Sequence, residues 1–67
     1  MIKNKLRVIL AEMDMKPSEL HKLTGIHKTS IYRIYHNTFT GITLEQIDKI
    51  CTALEITPND LFEYTPD

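Results

Sequence analysis

The chain has no tryptophan, one cysteine, two glycines and three prolines among its 67 residues. A lone cysteine, Cys51, cannot close an internal disulfide, which suits a reducing compartment and predicts a cytoplasmic protein. So few glycines and prolines leave no room for a flexible linker or a low-complexity arm. Long apolar runs are missing too. The longest, Val8-Ile9-Leu10-Ala11, is flanked by Arg7 and Glu12, too short to span a bilayer or to form the core of a signal peptide. Membrane anchoring and secretion are therefore not expected. A chain this short can build hardly any cleft, so an enzyme is not expected either. Small domains without disulfides depend on efficient helix packing or on oligomerisation, which makes a dimer plausible on size alone.

What is present describes one small globular domain covering residues 1–67: 42% hydrophobic and 25% charged residues, with a net charge of −1. The net charge hides an asymmetry. Residues 1–40 hold Lys3, Lys5, Arg7, Lys16, Lys22, Lys28 and Arg33 against Glu12, Asp14 and Glu19, whereas residues 41–67 hold Lys49 against Glu45, Asp48, Glu55, Asp60, Glu63 and Asp67. His21, His27 and His36 also lie in the first part. A polyanion is attracted to one end of such a molecule and repelled by the other.

Periodicity predicts five helices, at about 2–13, 17–24, 28–36, 43–54 and 58–63, with no strand-like alternation. Ile2, Leu6, Ile9, Leu10 and Met13 form the apolar stripe of the first. Pro17 suits a first helical position and Gly25 a left-handed stop, with Leu20 and Leu23 inward between them. Ile31, Ile34 and Tyr35 give the third helix its inward face, and residues 36–41 have no period and read as a loop. Thr43-Leu44-Glu45-Gln46 is a capping box opening the fourth helix, whose stripe is Leu44, Ile47, Ile50, Cys51 and Leu54. Thr57-Pro58-Asn59-Asp60 repeats the start signal for a short fifth helix carrying Leu61 and Phe62.

Residues 20–34 hold two short helices joined by a turn centred on Gly25. Ile26 plugs the gap, and Leu20, Ile31 and Ile34 face the neighbouring helix. That spacing describes a helix-turn-helix, whose second helix enters the DNA major groove. Over nearly its whole length the chain resembles the phage-repressor and Cro-type helix-turn-helix family, because the first helix and the closing pair around Leu44–Leu54 and Ile56–Leu61 also agree in order and spacing. The resemblance implies an all-α, compact five-helix, lambda-repressor-like fold that binds double-stranded DNA through the helix at 28–36. Carried over by position, it assigns base edges to Lys28, Thr29 and Arg33, with His27, Tyr32 and His36 beside them. Arg33 is suited to grip guanine O6 and N7 with both arms of its guanidinium. Phosphate contacts fall to Lys16, Ser18 and Ser30, and to the N–H groups opening the second and third helices.

Three features, one of them a paired change, depart from the family pattern. Pro17 stands where glutamine often touches phosphate. His21 stands where a small residue lets the helices close, which predicts a wider crossing or a ring at the rim. Leu10 and Tyr35 replace the arginine and glutamate of a partly buried ion pair, a joint change that predicts contact between the first and third helices. His21, His27, His36 and Cys51 match no zinc spacing, and no glycine-rich loop could cradle a nucleotide, so neither metal nor cofactor is expected. The function expected is a sequence-specific transcriptional regulator, a repressor or a small phage or mobile-element control protein. The alternative is a protein-interaction module, antitoxin-like or anti-regulator, that keeps the fold. No separate sensor domain is visible, so control by a bound small molecule is not expected. Pairing on a two-fold-symmetric site predicts a weak homodimer through Phe62 and Tyr64, opposed by the acids Glu55, Asp60, Glu63 and Asp67.

Overall fold

In the computed structural model, which describes residues 1–38 and 41–66, the two ends of the chain pair with each other. Strand β1 (Ile2–Asn4) runs antiparallel to β2 (Phe62–Tyr64), with Ile2 opposite Tyr64, Lys3 opposite Glu63 and Asn4 opposite Phe62. Between them lie five helices: α1 (Leu6–Glu12), α2 (Pro17–Thr24), α3 (Lys28–Tyr35), α4 (Leu44–Leu54) and α5 (Pro58–Leu61). Phe39 and Thr40 of the expected loop, and Asp67, lie outside the described residues.

The expectation of helices alone is corrected by the sheet: the chain is mostly helical with one small two-stranded ribbon. Ile2 has the right spacing for the stripe of α1, yet its strand takes backbone partners from the far end of the chain, and Ile2 is 68% exposed. The helix begins instead at Leu6, whose N–H donates to the side-chain oxygen of Asn4 at 3.0 Å. At the other end α5 stops at Leu61 because Phe62 is extended and enters β2.

The start and stop signals act where local chemistry places them. Pro17 and Pro58 open α2 and α5. Gly25 takes φ 74° and donates to the carbonyl of His21 at 2.9 Å. Thr43 and Gln46 exchange both capping-box hydrogen bonds at 3.1 Å. At the end of α4 the left-handed position falls to Glu55, φ 56°, and the next N–H reaches Cys51 at 3.0 Å. A side chain bears the strain there that glycine would avoid.

The core gathers Leu6, Leu10, Leu20, Ile26, Ile31, Ile34, Ile50, Cys51, Leu54 and Leu61. Burial, and then the carboxylates of Asp48 and Asp60, push the Cys51 thiol up and keep it protonated, so it behaves as a small hydrophobe. Besides Ile2, three expected inward residues face outward. Leu44 is 84% exposed because it is the first residue of α4, ahead of the turn that reaches the core. Leu23 is 60% exposed at the rim beside Lys49 and Ala53, where Leu20 alone carries the inner face of α2. Met13 is exposed at the end of α1. Between α1 and α3, Leu10 is in the core, Tyr35 packs half-buried against it, and the Arg7 guanidinium lies 5.9 Å from the Tyr35 ring centroid. None of the described helices is long and apolar enough to cross a membrane.

Candidate nucleic-acid interface

Helix α3 is presented by a turn that α2 holds with two side chains. Thr24 Oγ1 donates to the Leu20 carbonyl at 2.8 Å and accepts from the Ile26 N–H at 3.2 Å. The His21 ring donates through Nδ1 to the Ile26 carbonyl. Both backbone groups of Ile26 are thereby satisfied while its side chain, 7% exposed, fills the space between the helices. His21 is half-buried in this role. The expectation of a ring at the rim is corrected: its polar edge has a partner inside the turn.

His27 precedes α3 as its N-cap, its Nδ1 accepting from the Thr29 N–H at 3.2 Å. Along the helix, Ile31 and Ile34 are buried, while Lys28, Thr29, Tyr32, Arg33 and His36 are exposed, as is His27. At 3.6 residues per turn, Thr29, Tyr32, Arg33 and His36 lie opposite the two isoleucines, and Lys28 lies on the flank beside Tyr35. Four of the six residues expected at base edges thus share one open face, with Lys28 on its flank and His27 exposed ahead of the helix. Ser30 is only half exposed, on the other flank. At the start of α2 the backbone of Lys16 is extended and its side chain free of any cap; Lys16 is exposed and Ser18 half-buried.

The surface is chemically one-sided. No aspartate or glutamate occurs in α3, whereas α4, α5 and β2 carry Glu45, Asp48, Asp60 and Glu63. Lys49, the cation of that acidic region, is paired with Glu45 at 3.1 Å. The Asp60 carboxylate is held below its usual range, first by the backbone N–H of Thr57, then by the Thr57 hydroxyl, with Lys5 adding to both. Hydroxyl donors, two cations and two imidazoles on a face without acids suit phosphate oxygens and base edges. Among the described residues no group of histidines, cysteines and acids could hold a metal ion.

Two residues that position this helix were not singled out from sequence. Asn4, 5% exposed, donates through Nδ2 to the Ile34 carbonyl and to Asn37 Oδ1, both at 2.8 Å. Asn37 takes the left-handed conformation that ends α3, φ 57°, and also accepts from the Asn4 N–H at 3.3 Å. An asparagine just beyond a helix end is a readable stop signal. Nothing local marked Asn4.

Compared with known proteins, residues 5–67 match the family of Cro/C1-type helix-turn-helix DNA-binding domains. The chain is also 33% identical, over 60 residues, to the uncharacterised HTH-type transcriptional regulator YozG of Bacillus subtilis (strain 168), covering 90% of this chain and 71% of that protein.

Proposed function

Because the chain belongs to the Cro/C1-type helix-turn-helix DNA-binding family, we propose that this DNA-binding regulator reads the major groove with the outward face of α3 and acts as a repressor or as a small phage or mobile-element control protein. The observation that carries the reading is the segregation on α3: buried isoleucines on one side, and Lys28, Thr29, Tyr32, Arg33 and His36 exposed without an acid on the other. Arg33 takes a guanine by its O6 and N7, and Lys28 serves as a less directional donor. Lys16, Ser18 and Ser30 hold phosphates and set the register, with the exposed Lys16 contributing most.

A single helix touches only a few base pairs, so two copies acting on a two-fold-symmetric site give the specificity that one lacks. Residues 1–67 act as one reading unit in this scheme. The candidate pairing surface is an open, mainly apolar groove of about 530 Å³ between the sheet and α5, whose lining includes Ile2, Ile42, Phe62 and Tyr64 together with Asn59 and Glu63. Selection of bound duplexes from a random pool tests the proposal. A pseudo-palindromic site with a guanine in each half is expected; enrichment of no sequence would sink it.

A further inference from the structure

Four side chains form a continuous run of contacts from α1 to the outward face of α3. The Arg7 guanidinium lies 5.9 Å from the Tyr35 ring centroid, Tyr35 meets His36 edge-on at 5.0 Å and 89°, and His36 stacks on Tyr32 at 6.2 Å and 13°. Both ring separations fall within the range of attractive aromatic pairs. Tyr35 packs half-buried against the core, whereas Tyr32 is 45% exposed. The inner ring therefore anchors the outer one. Tyr32 rests against His36 one turn along the same helix, and His36 is held at its edge by Tyr35.

The result is a supported ring face set among Lys28, Thr29 and Arg33. The face of a tyrosine ring forms no strong hydrogen bond, and its hydroxyl lies at one end only. Such a face gains most from an apolar counterpart. In the major groove guanine, adenine and cytosine present hydrogen-bond donors and acceptors, and the C5-methyl of thymine is the apolar feature. The methyl of Thr29, three residues before Tyr32 on the same side, adds a second apolar wall. Resting on the reading of α3 as the major-groove helix, we infer that Tyr32, backed by His36, recognises a thymine through its C5-methyl. Each half-site then contains a methyl-read thymine close to the guanine taken by Arg33.

The test uses the full chain and the duplex it selects. Each thymine is exchanged in turn for deoxyuridine, which keeps the base pairing and removes only the methyl. One exchange is expected to weaken binding about fourfold, the worth of a single methyl withdrawn from water. The same exchange should leave binding by Tyr32→Ala unchanged, while Tyr32→Phe keeps the full fourfold loss. Thermal melts of both variants check that they fold. The inference is overturned if no exchange weakens binding, or if Tyr32→Ala still discriminates. It is overturned equally if Tyr32→Phe loses discrimination, since the hydroxyl would then be the reading group. A protein that selects no duplex overturns the DNA reading itself, so the two failures are distinct.

Discussion

The side-chain amide of Asn4 donates to the backbone carbonyl of Ile34 at 2.8 Å, joining β1 to the last turn of α3. The same side chain accepts from Leu6 and donates to Asn37, so one buried residue fixes the start of α1 and the end of α3 together. Asn4→Ala leaves the Leu6 N–H and the Ile34 carbonyl without those partners. A loss of about 1–3 kcal/mol is expected for such buried groups, which in a domain of this size lowers Tm by roughly 4 °C or more. An unchanged melting temperature would show that the latch contributes nothing net.

Arg33→Ala is expected to cost about 1–3 kcal/mol in specific binding and to relax preference at one base pair. Lys16→Ala should weaken all sequences alike and flatten the dependence of binding on salt. Titrations of the selected duplex and a scrambled one, each at several salt concentrations, separate the two. Equal selectivity in Arg33→Ala and wild type would mean that another residue reads the base.

Arg7 and Tyr35 offer a second link between α1 and α3. The cycle of Arg7→Ala, Tyr35→Leu and the double variant should give a coupling of about 0.5–1 kcal/mol, as for a cation over an aromatic ring near the surface. Additive melts would show that the guanidinium is merely nearby. Tyr35→Glu, which would lack a partner beside Leu10 alone, has Arg7 within reach. It should therefore destabilise less than the loss of the ring suggests, and Leu10→Arg should recover the rest by restoring the family's ion pair.

The Asp60 carboxylate accepts from the N–H and the hydroxyl of Thr57, both at 3.0 Å, and these bonds hold its pKa below the ordinary 3.8. A lowered folded pKa means that the unfolded chain takes up the proton first as pH falls. The contribution is complete above 3.8 and is lost as pH drops through the lower folded value. Asp60→Asn should therefore flatten the acid limb of stability in that window. An identical acid limb in the variant would show that the Thr57 contacts do not persist in solution.

Pairing through the groove beside Phe62 and Tyr64 brings Glu63 of two copies close, with Asp60 nearby on α5. A weak dimer is expected, largely monomeric at micromolar concentration and cooperative on a two-fold site. Added salt should strengthen the free dimer by screening these acids while weakening the DNA complex. Sedimentation at two salt concentrations reads both trends. A tight, salt-insensitive dimer, or one protein per site, would contradict the scheme.

Local chemistry was enough for most of the helices and for the face of α3. Pro17, Gly25, Thr43 with Gln46, and Pro58 act on backbone groups within a few residues of themselves, so their effect needs no tertiary information. The outward placement of Lys28, Thr29, Tyr32, Arg33 and His36 follows from the spacing of Ile31 and Ile34, because a helix with one buried stripe has to expose its opposite side. The roles of His21 and Asn4 were not legible in the same way. A polar side chain at a helix interface can turn toward solvent or toward a carbonyl, and the choice depends on which carbonyl the neighbouring turn leaves unpaired.

The helix starts at Pro17, Thr43 and Pro58, the stop at Gly25 and the exposed cationic side of α3 follow from neighbours along the chain, since each depends on interactions within one or two turns. The strand positions of Ile2 and Phe62, the exposure of Leu23 and Leu44 and the hold of Asn4 on the end of α3 came from packing across the whole fold. Those outcomes depend on groups brought together from distant parts of the chain. An apolar residue at helical spacing is buried only where another element covers it, and a backbone donor leaves the helix only where a partner strand accepts it.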